Sequence, residues 1–320
     1  MDPELGRLVL DPACRDDAGR FVDSDPAALE AGPGARPWCA PDQDAFTKLV
    51  SRFGFAVAPT ALHSARTTGY GGFDVTAEAA YSNMNGDPAG MLQLYSLRLR
   101  RGFGFGLELA GAVGFMPQTS LASGGFDARI SLFEGFREDL AGRLPDFAVG
   151  GGVRTTTGSA ELTLTVASFD LQVSKPFPLL GMGVITPFVG LQQLWIFGAS
   201  GTVDLTPGTD AQQYCGYAGD NVPGNPDPNK DYFDGQPICT SPNPGADRDF
   251  NNDVIFESVT LERRRLLLGV GYRYELFKAG VELITELSSP AGAQSSSADE
   301  KALAGEARQW ALVFELGVAF

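Results

Sequence analysis

The chain has 320 residues, 39 acidic against 24 basic side chains, a net charge of -15, 40 glycines and four cysteines. No run of about 18 apolar residues occurs, which excludes transmembrane helices. The acidic balance excludes nucleic acid as a partner, because phosphate binding needs clustered Lys and Arg.

Residues 1–66 read as a Pro-rich, acidic extension with one helix. Asp42 or Asp44 can cap it, Phe46, Leu49, Val50 and Phe53 lie at helical spacing, and Gly54 follows as a stop. Such a helix serves either as a periplasmic plug or docking element, or as an amphipathic helix packed on a rim; the second reading is the simpler. Met1 to Leu10 has neither a basic start nor an apolar core, so an export signal is expected upstream of this numbering. Cys14 lacks the preceding apolar run of a lipoprotein box and reads as a disulfide cysteine.

From residue 67 onward, alternating segments recur between Gly, Pro, Asn, Asp and Ser clusters. Strands are expected at 71–82, 91–101, 103–115, 124–136, 146–157, 159–174, 184–205, 254–276, 278–288 and 308–320. That makes about ten, within about two. In the first, Phe73, Val75, Ala77, Ala79 and Tyr81 oppose Asp74, Thr76 and Glu78; in the third, Phe103, Phe105, Leu107, Leu109, Val113 and Phe115 oppose Gly104, Gly106, Glu108, Ala110, Ala112 and Gly114. In the eighth, Leu266, Leu268, Val270, Tyr272 and Tyr274 oppose Arg265, Gly269, Gly271 and Arg273. The seventh, around Thr186 to Phe197, is apolar on both faces and has no evident phase.

Alternation does not say which face is inside. The polar face is Gly and Ala with a few Arg, Glu and Asp, and all five lysines (Lys48, Lys175, Lys230, Lys278, Lys301) are expected outside strand interiors. Such a face suits a crowded interior better than bulk water. Connections after the second, fourth and eighth strands are compact, while those after the seventh and ninth are long. Short turns at one end and long loops at the other fit a transmembrane barrel. The predicted fold class is therefore all-β: an antiparallel up-and-down transmembrane β-barrel over 67–320.

The last thirteen residues alternate strictly, with Trp310, Leu312, Phe314, Leu316, Val318 and Phe320 on one face, and stop on an aromatic residue. This resembles the C-terminal signal strand of bacterial outer-membrane β-barrel proteins. The resemblance implies a Gram-negative outer membrane, lipids and the barrel insertion machinery as partners, and Trp310, Phe314 and Phe320 as the insertion signal. An even strand number puts both termini in the periplasm and makes 199–253 an extracellular loop. It holds nine Asp against Lys230 and Arg248, a net charge of -7.

Cys14 and Cys39 lie close in sequence, as do Cys215 and Cys239, so Cys14–Cys39 and Cys215–Cys239 disulfides are expected among the three formal pairings. Each would close a loop of about 25 residues and contribute roughly 3 kcal/mol. Zinc fails on spacing. In the loop, Asp247, Asp249, Asn251 and Asp253 match the start of a calcium loop in part, but Asn252 stands where a Gly turn belongs and Glu257 is out of register. Calcium is the alternative to a solvated acidic loop, and no other cofactor is expected. Glycine runs at 150–152 and 102–106 lack a following helix and read as packing glycines.

The single histidine, His63, precedes the first strand, away from the extracellular rim where outer-membrane proteases, phospholipases and acyltransferases place theirs. No catalytic residues are expected. A barrel of about ten strands has an interior just wide enough for side chains. The inward charges Glu78, Arg98, Arg100, Glu108, Asp127, Arg129, Arg154, Arg273, Glu282 and Glu315 must then pair, because isolated buried charges are very costly. The expected function is non-enzymatic: a structural or surface-interaction role through the acidic loop, with an unknown extracellular or periplasmic protein partner. The alternatives are a narrow passive channel gated by the loop or the N-terminal segment, and capture of an apolar ligand.

Overall fold

The computed structural model describes residues 5, 8, 41–61, 63–84, 90–117, 119–132, 144–179, 181–204, 215–218, 236–239, 253–287, 301–303 and 306–320. One helix, α1 (Gln43–Val57), precedes fifteen strands: β1 (Phe73–Asn83), β2 (Met91–Gly102), β3 (Leu107–Phe115), β4 (Ala122–Ser131), β5 (Asp146–Thr157), β6 (Leu162–Ser174), β7 (Phe177–Leu179), β8 (Gly183–Ser200), β9 (Val203–Asp204), β10 (Cys215–Ala218), β11 (Gln236–Cys239), β12 (Asp253–Val254), β13 (Val259–Tyr274), β14 (Phe277–Glu286) and β15 (Trp310–Ala319). Ten of them, β1 to β6, β8 and β13 to β15, form a closed antiparallel barrel; β13 pairs with β8, and the short β7 adds to the start of β8. The chain ends inside this ladder, since Phe320 and Phe73 exchange two backbone hydrogen bonds of 3.1 and 2.7 Å.

The barrel is inverted relative to a soluble one. Val113, Phe126 and Leu316 stand 64, 64 and 68 % exposed on the outer face, while Arg98, Arg100 and Arg265 are 1, 2 and 1 % exposed within. A wall that turns Leu, Val and Phe outward and guanidinium groups inward is stable only where the surroundings are hydrocarbon. Trp310, Phe314 and Phe320 belong to this outer face.

Four sequence expectations change in detail. Residues 103–106 are a turn rather than the start of the third strand: Gly104–Gly106 form a single 3-10 turn with Phe105 at φ 62°, a left-handed conformation that no strand tolerates. Lys278 lies within β14 and faces the lumen, 3.0 Å from Asp74 and 3.3 Å from Glu315. Gly54 does not stop α1, which continues to Val57. A Cβ at Gly54 would come within 2.4 Å of Ile196, so this glycine admits close approach of helix to wall. The fourth change is the phase of β8, where Phe188, Gly190, Gln192, Leu194, Ile196 and Gly198 point inward.

Two compact units divide the chain. One comprises Thr47–Ala199 and Ser258–Phe320 with Met1–Asp2, and the other Pro3–Phe46 and Ser200–Glu257. The second unit contains the β9–β12 and β10–β11 pairs. Within it Gln43 and Glu257 exchange two hydrogen bonds of 3.0 Å, and the buried rings of Phe46 and Phe256 stack with centroids 4.8 Å apart. Asp42 caps α1, its Oδ1 accepting from the Ala45 amide at 2.9 Å.

The inverted wall makes a direct prediction. Leu97→Arg, mid-strand and 47 % exposed on the outer face, should lose about 2–4 kcal/mol of folding free energy in a bilayer. Urea unfolding in lipid vesicles checks it; an unchanged midpoint would mean that this face does not meet lipid.

Candidate functional site: a segment threaded through the lumen

The lumen is occupied by the chain's own residues 47–61 and 63–72. Their partners on the wall descend in order from the end that carries the long 200–257 connection to the end that carries the C-terminus. At the loop end, a Cβ added at Gly198 would come within 2.5 Å of Val50, and the Arg263 guanidinium donates to the Ser51 carbonyl at 2.9 Å. One turn lower, Gly54 meets Ile196 and the Phe55 carbonyl accepts from Arg265 at 2.9 Å. Pro59 O then accepts from Gln192 at 3.2 Å and Arg265 at 2.6 Å, and Thr60 O from Arg98 at 3.2 Å. Ala61 donates to Glu282 at 3.3 Å and accepts from Gln172 at 3.2 Å, and Gln172 also reaches the His63 carbonyl at 2.5 Å. Ser64 O accepts from Arg129 at 3.2 Å. Towards the C-terminal end, Ala65 N meets Ser174 at 2.9 Å, Arg66 pairs with Asp146 at 2.7 Å, and Thr68 N meets Glu108 at 2.9 Å.

Eight backbone polar groups of residues 59–61 and 63–68 therefore meet wall side chains rather than a neighbouring strand. Buried amides and carbonyls need partners, and an isolated extended segment has no ladder to supply them. The barrel supplies Arg, Gln, Glu and Ser in their place. The end of α1 is handled likewise. Its last turn contains no basic residue, and Arg263 and Arg265 lie over the Phe55 ring at 4.9 and 5.2 Å, with Arg265 bonding the Phe55 carbonyl in the last turn. Cations placed there satisfy orphan carbonyls and oppose the negative helix end.

The same guanidinium groups are balanced by carboxylates on the wall. Arg98 lies 3.2 Å from Glu78 and 3.7 Å from Asp127, which also receives Arg154 at 2.7 Å. Arg129 lies 3.4 Å from Asp170, with His63 as a further contact. Arg263 and Glu286 approach to 2.6 Å, and Gln309 joins them. Near the C-terminal end, Arg100 and Lys278 share Asp74 and Glu315 at 2.9–3.3 Å. A cavity of about 490 Å³ opens beside this last cluster, lined by Arg66, Thr68, Glu108, Tyr272 and Arg273 among others.

Of the lumen charges expected from sequence, Glu78, Arg98, Glu108, Arg129, Arg154, Glu282 and Glu315 are buried together. Arg273 is not among them. It has inward parity but sits one residue from the end of β13, exposed at the mouth of the cavity, where its Nε bonds the Glu275 carbonyl at 3.3 Å. Sequence reasoning missed Asp170, Gln172, Gln192, Arg263 and Glu286, although each has the parity of an inward residue. His63 is a lumen residue against Arg129.

Cys215 and Cys239 are directly opposed in the β10–β11 ladder. Cross-strand partners have Cα atoms about 4.5–5.5 Å apart, within disulfide reach. Cys14 and Cys39 lie outside the described residues, as do Asp247, Asp249 and Asn251; Asp253 pairs with Asp204 through the backbone of β12 and β9. Among the described residues no cluster of three or more His, Cys, Asp or Glu side chains could hold a metal.

The chain matches no protein-family model, and no curated protein matches it in sequence. Among solved structures it is similar to the N-terminal β-barrel domain of OprF from Pseudomonas aeruginosa, with 11 % identity, 79 % of this chain and 99 % of that chain covered, and a TM-score of 0.28. Neisserial surface protein A gives 12 % identity, 78 and 99 % coverage and a TM-score of 0.28. The translocator domain of autotransporter NalP from Neisseria meningitidis gives 10 %, 79 and 88 %, and 0.33. At these scores the likenesses carry no argument about function. The closed ten-stranded wall, apolar outside and charged inside, identifies the molecule as an outer-membrane β-barrel on its own geometry.

Two measurements follow. Arg98→Ala strands Glu78 and the Thr60 carbonyl at once and should cost about 3–5 kcal/mol, whereas Gln172→Ala should cost about 1–3 kcal/mol in unfolding experiments in vesicles. Equal, small losses would show that the segment is not held by these groups. Peptide mapping of unreduced protein should recover a Cys215–Cys239 linked pair, and recovery of both as free thiols would refute the bridge.

Proposed function

We propose that this protein is a closed, non-enzymatic outer-membrane barrel that presents an acidic module at the cell surface. The observation that carries the reading is the threaded segment: eight backbone polar groups of residues 59–61 and 63–68 meet lumen side chains, so a solute path would have to break a dense network. The distribution of charge supports it. Pro3–Phe46 holds nine acidic against four basic side chains and Ser200–Glu257 ten against two, so this unit has -13 of the chain's -15. The barrel is left nearly neutral, as a wall whose charges are internally paired should be. The β8 and β13 strands, 18 and 16 residues long, exceed the about 9–11 residues of a bilayer crossing and carry the connection between them clear of the membrane. An excess of this size favours polycationic partners and gives association rates that fall with ionic strength.

Planar-bilayer recording of the refolded full chain tests the reading. A heat-modifiable protein that gives no discrete conductance steps is the expected result. Stable steps would instead establish the narrow channel, with the cavity near the C-terminal end as its vestibule.

A further inference from the structure

We infer that the barrel carries its own N-terminal segment across the membrane, so that the segment Pro3–Phe46 is presented on the same side as the Ser200–Glu257 connection rather than in the periplasm. Two independent observations support this. Within the barrel unit, the path from residue 72 back to residue 47 runs one way. It leaves β1 at the end where Phe73 pairs with Phe320, passes Glu108, Ser174 and Arg129, then Glu282, Arg98 and Gln192, and reaches Arg263 and Gly198, four and two residues from the loop-side ends of their strands. α1 runs unbroken from Val57 through Thr47 to Gln43. Within the second unit, the described part of the N-terminal segment bonds to the connection itself: Gln43 with Glu257, Phe46 with Phe256, and Asp42 N with Leu8 O at 2.8 Å. Glu257 lies two residues before Val259, the first residue of β13.

The consequence for function is a second displayed segment. It has its own acidic excess and, in Cys14 and Cys39, its own pair of cysteines. The inference rests on the surface-display reading for the orientation of the long connection, and epitope insertion separates the two.

A short epitope is placed after Gly32, and in separate full-length variants after Gly224 in the long connection or after Gly142 between β4 and β5. Antibody binding is compared on intact and permeabilised cells. The Gly32 epitope should bind on intact cells as the Gly224 epitope does, with no gain on permeabilisation, while the Gly142 epitope should bind only after it. A Gly32 epitope hidden until permeabilisation beside an accessible Gly224 epitope would overturn this inference and leave surface display by the loop intact. An accessible Gly142 epitope with a hidden Gly224 epitope would overturn both. Heat-modifiable mobility confirms folding of each variant, and an epitope after Gly19 replaces the Gly32 insertion if that protein does not fold.

Discussion

The double engagement of lumen guanidinium groups is the interaction on which the rest of the structure depends. Arg98, Arg129 and Arg263 each meet a wall carboxylate on one side and a carbonyl of the threaded segment on the other; Arg265 meets Gln192 and two carbonyls. A guanidinium has five donors in a planar fork, more than one carboxylate can satisfy. The surplus donors are what an isolated backbone needs. Remove the segment and the arginines keep unspent donors in a narrow, poorly hydrated lumen; remove the arginines and the segment keeps orphaned carbonyls. Wall and segment are stable together because each completes the other's hydrogen bonding.

This pairing divides the lumen into two tiers. The loop-side half is largely apolar, with Leu162, Leu164, Val166, Leu194, Ile196, Leu261 and Val313 buried on inward faces, and it receives a helix. The other half is polar and receives extended chain. A helix satisfies its own backbone and needs only an apolar surface, with cations at its end; an extended segment needs donors and acceptors along its length. The composition of the wall follows the conformation of what it encloses.

Display at the surface is consistent with the same economy of charge. Inside the barrel Asp74, Glu78, Asp127, Asp170, Glu286 and Glu315 lie within ion-pair distance of an arginine, and Glu108 and Glu282 accept from backbone amides of the threaded segment, because a low-dielectric interior penalises unmatched charge. The acidic excess is confined to the unit built from Pro3–Phe46 and Ser200–Glu257. There water and salt screen it, and it remains available to act at a distance.

The sequence by itself determined the wall. A side-chain period of two makes the inward or outward sense of every residue in β1, β3, β13 and β15 readable from parity once the environment of one face is known, and the aromatic C-terminal strand supplied that environment. It did not determine what fills the lumen. The doubly apolar β8 was the one signal: Ile196 and Gly198 face α1 and Leu194 is buried on the same inward face, while Val189, Leu191 and Phe197 face lipid. Parity cannot separate two apolar surroundings, so the strand could not be phased. The threaded segment has no strand partner, and its bonds to Arg98, Gln172, Glu282 and Arg265 span from 38 to more than 200 residues. Contacts of that kind leave no local period, and only closure of the barrel around residues 47–72 brings them into being.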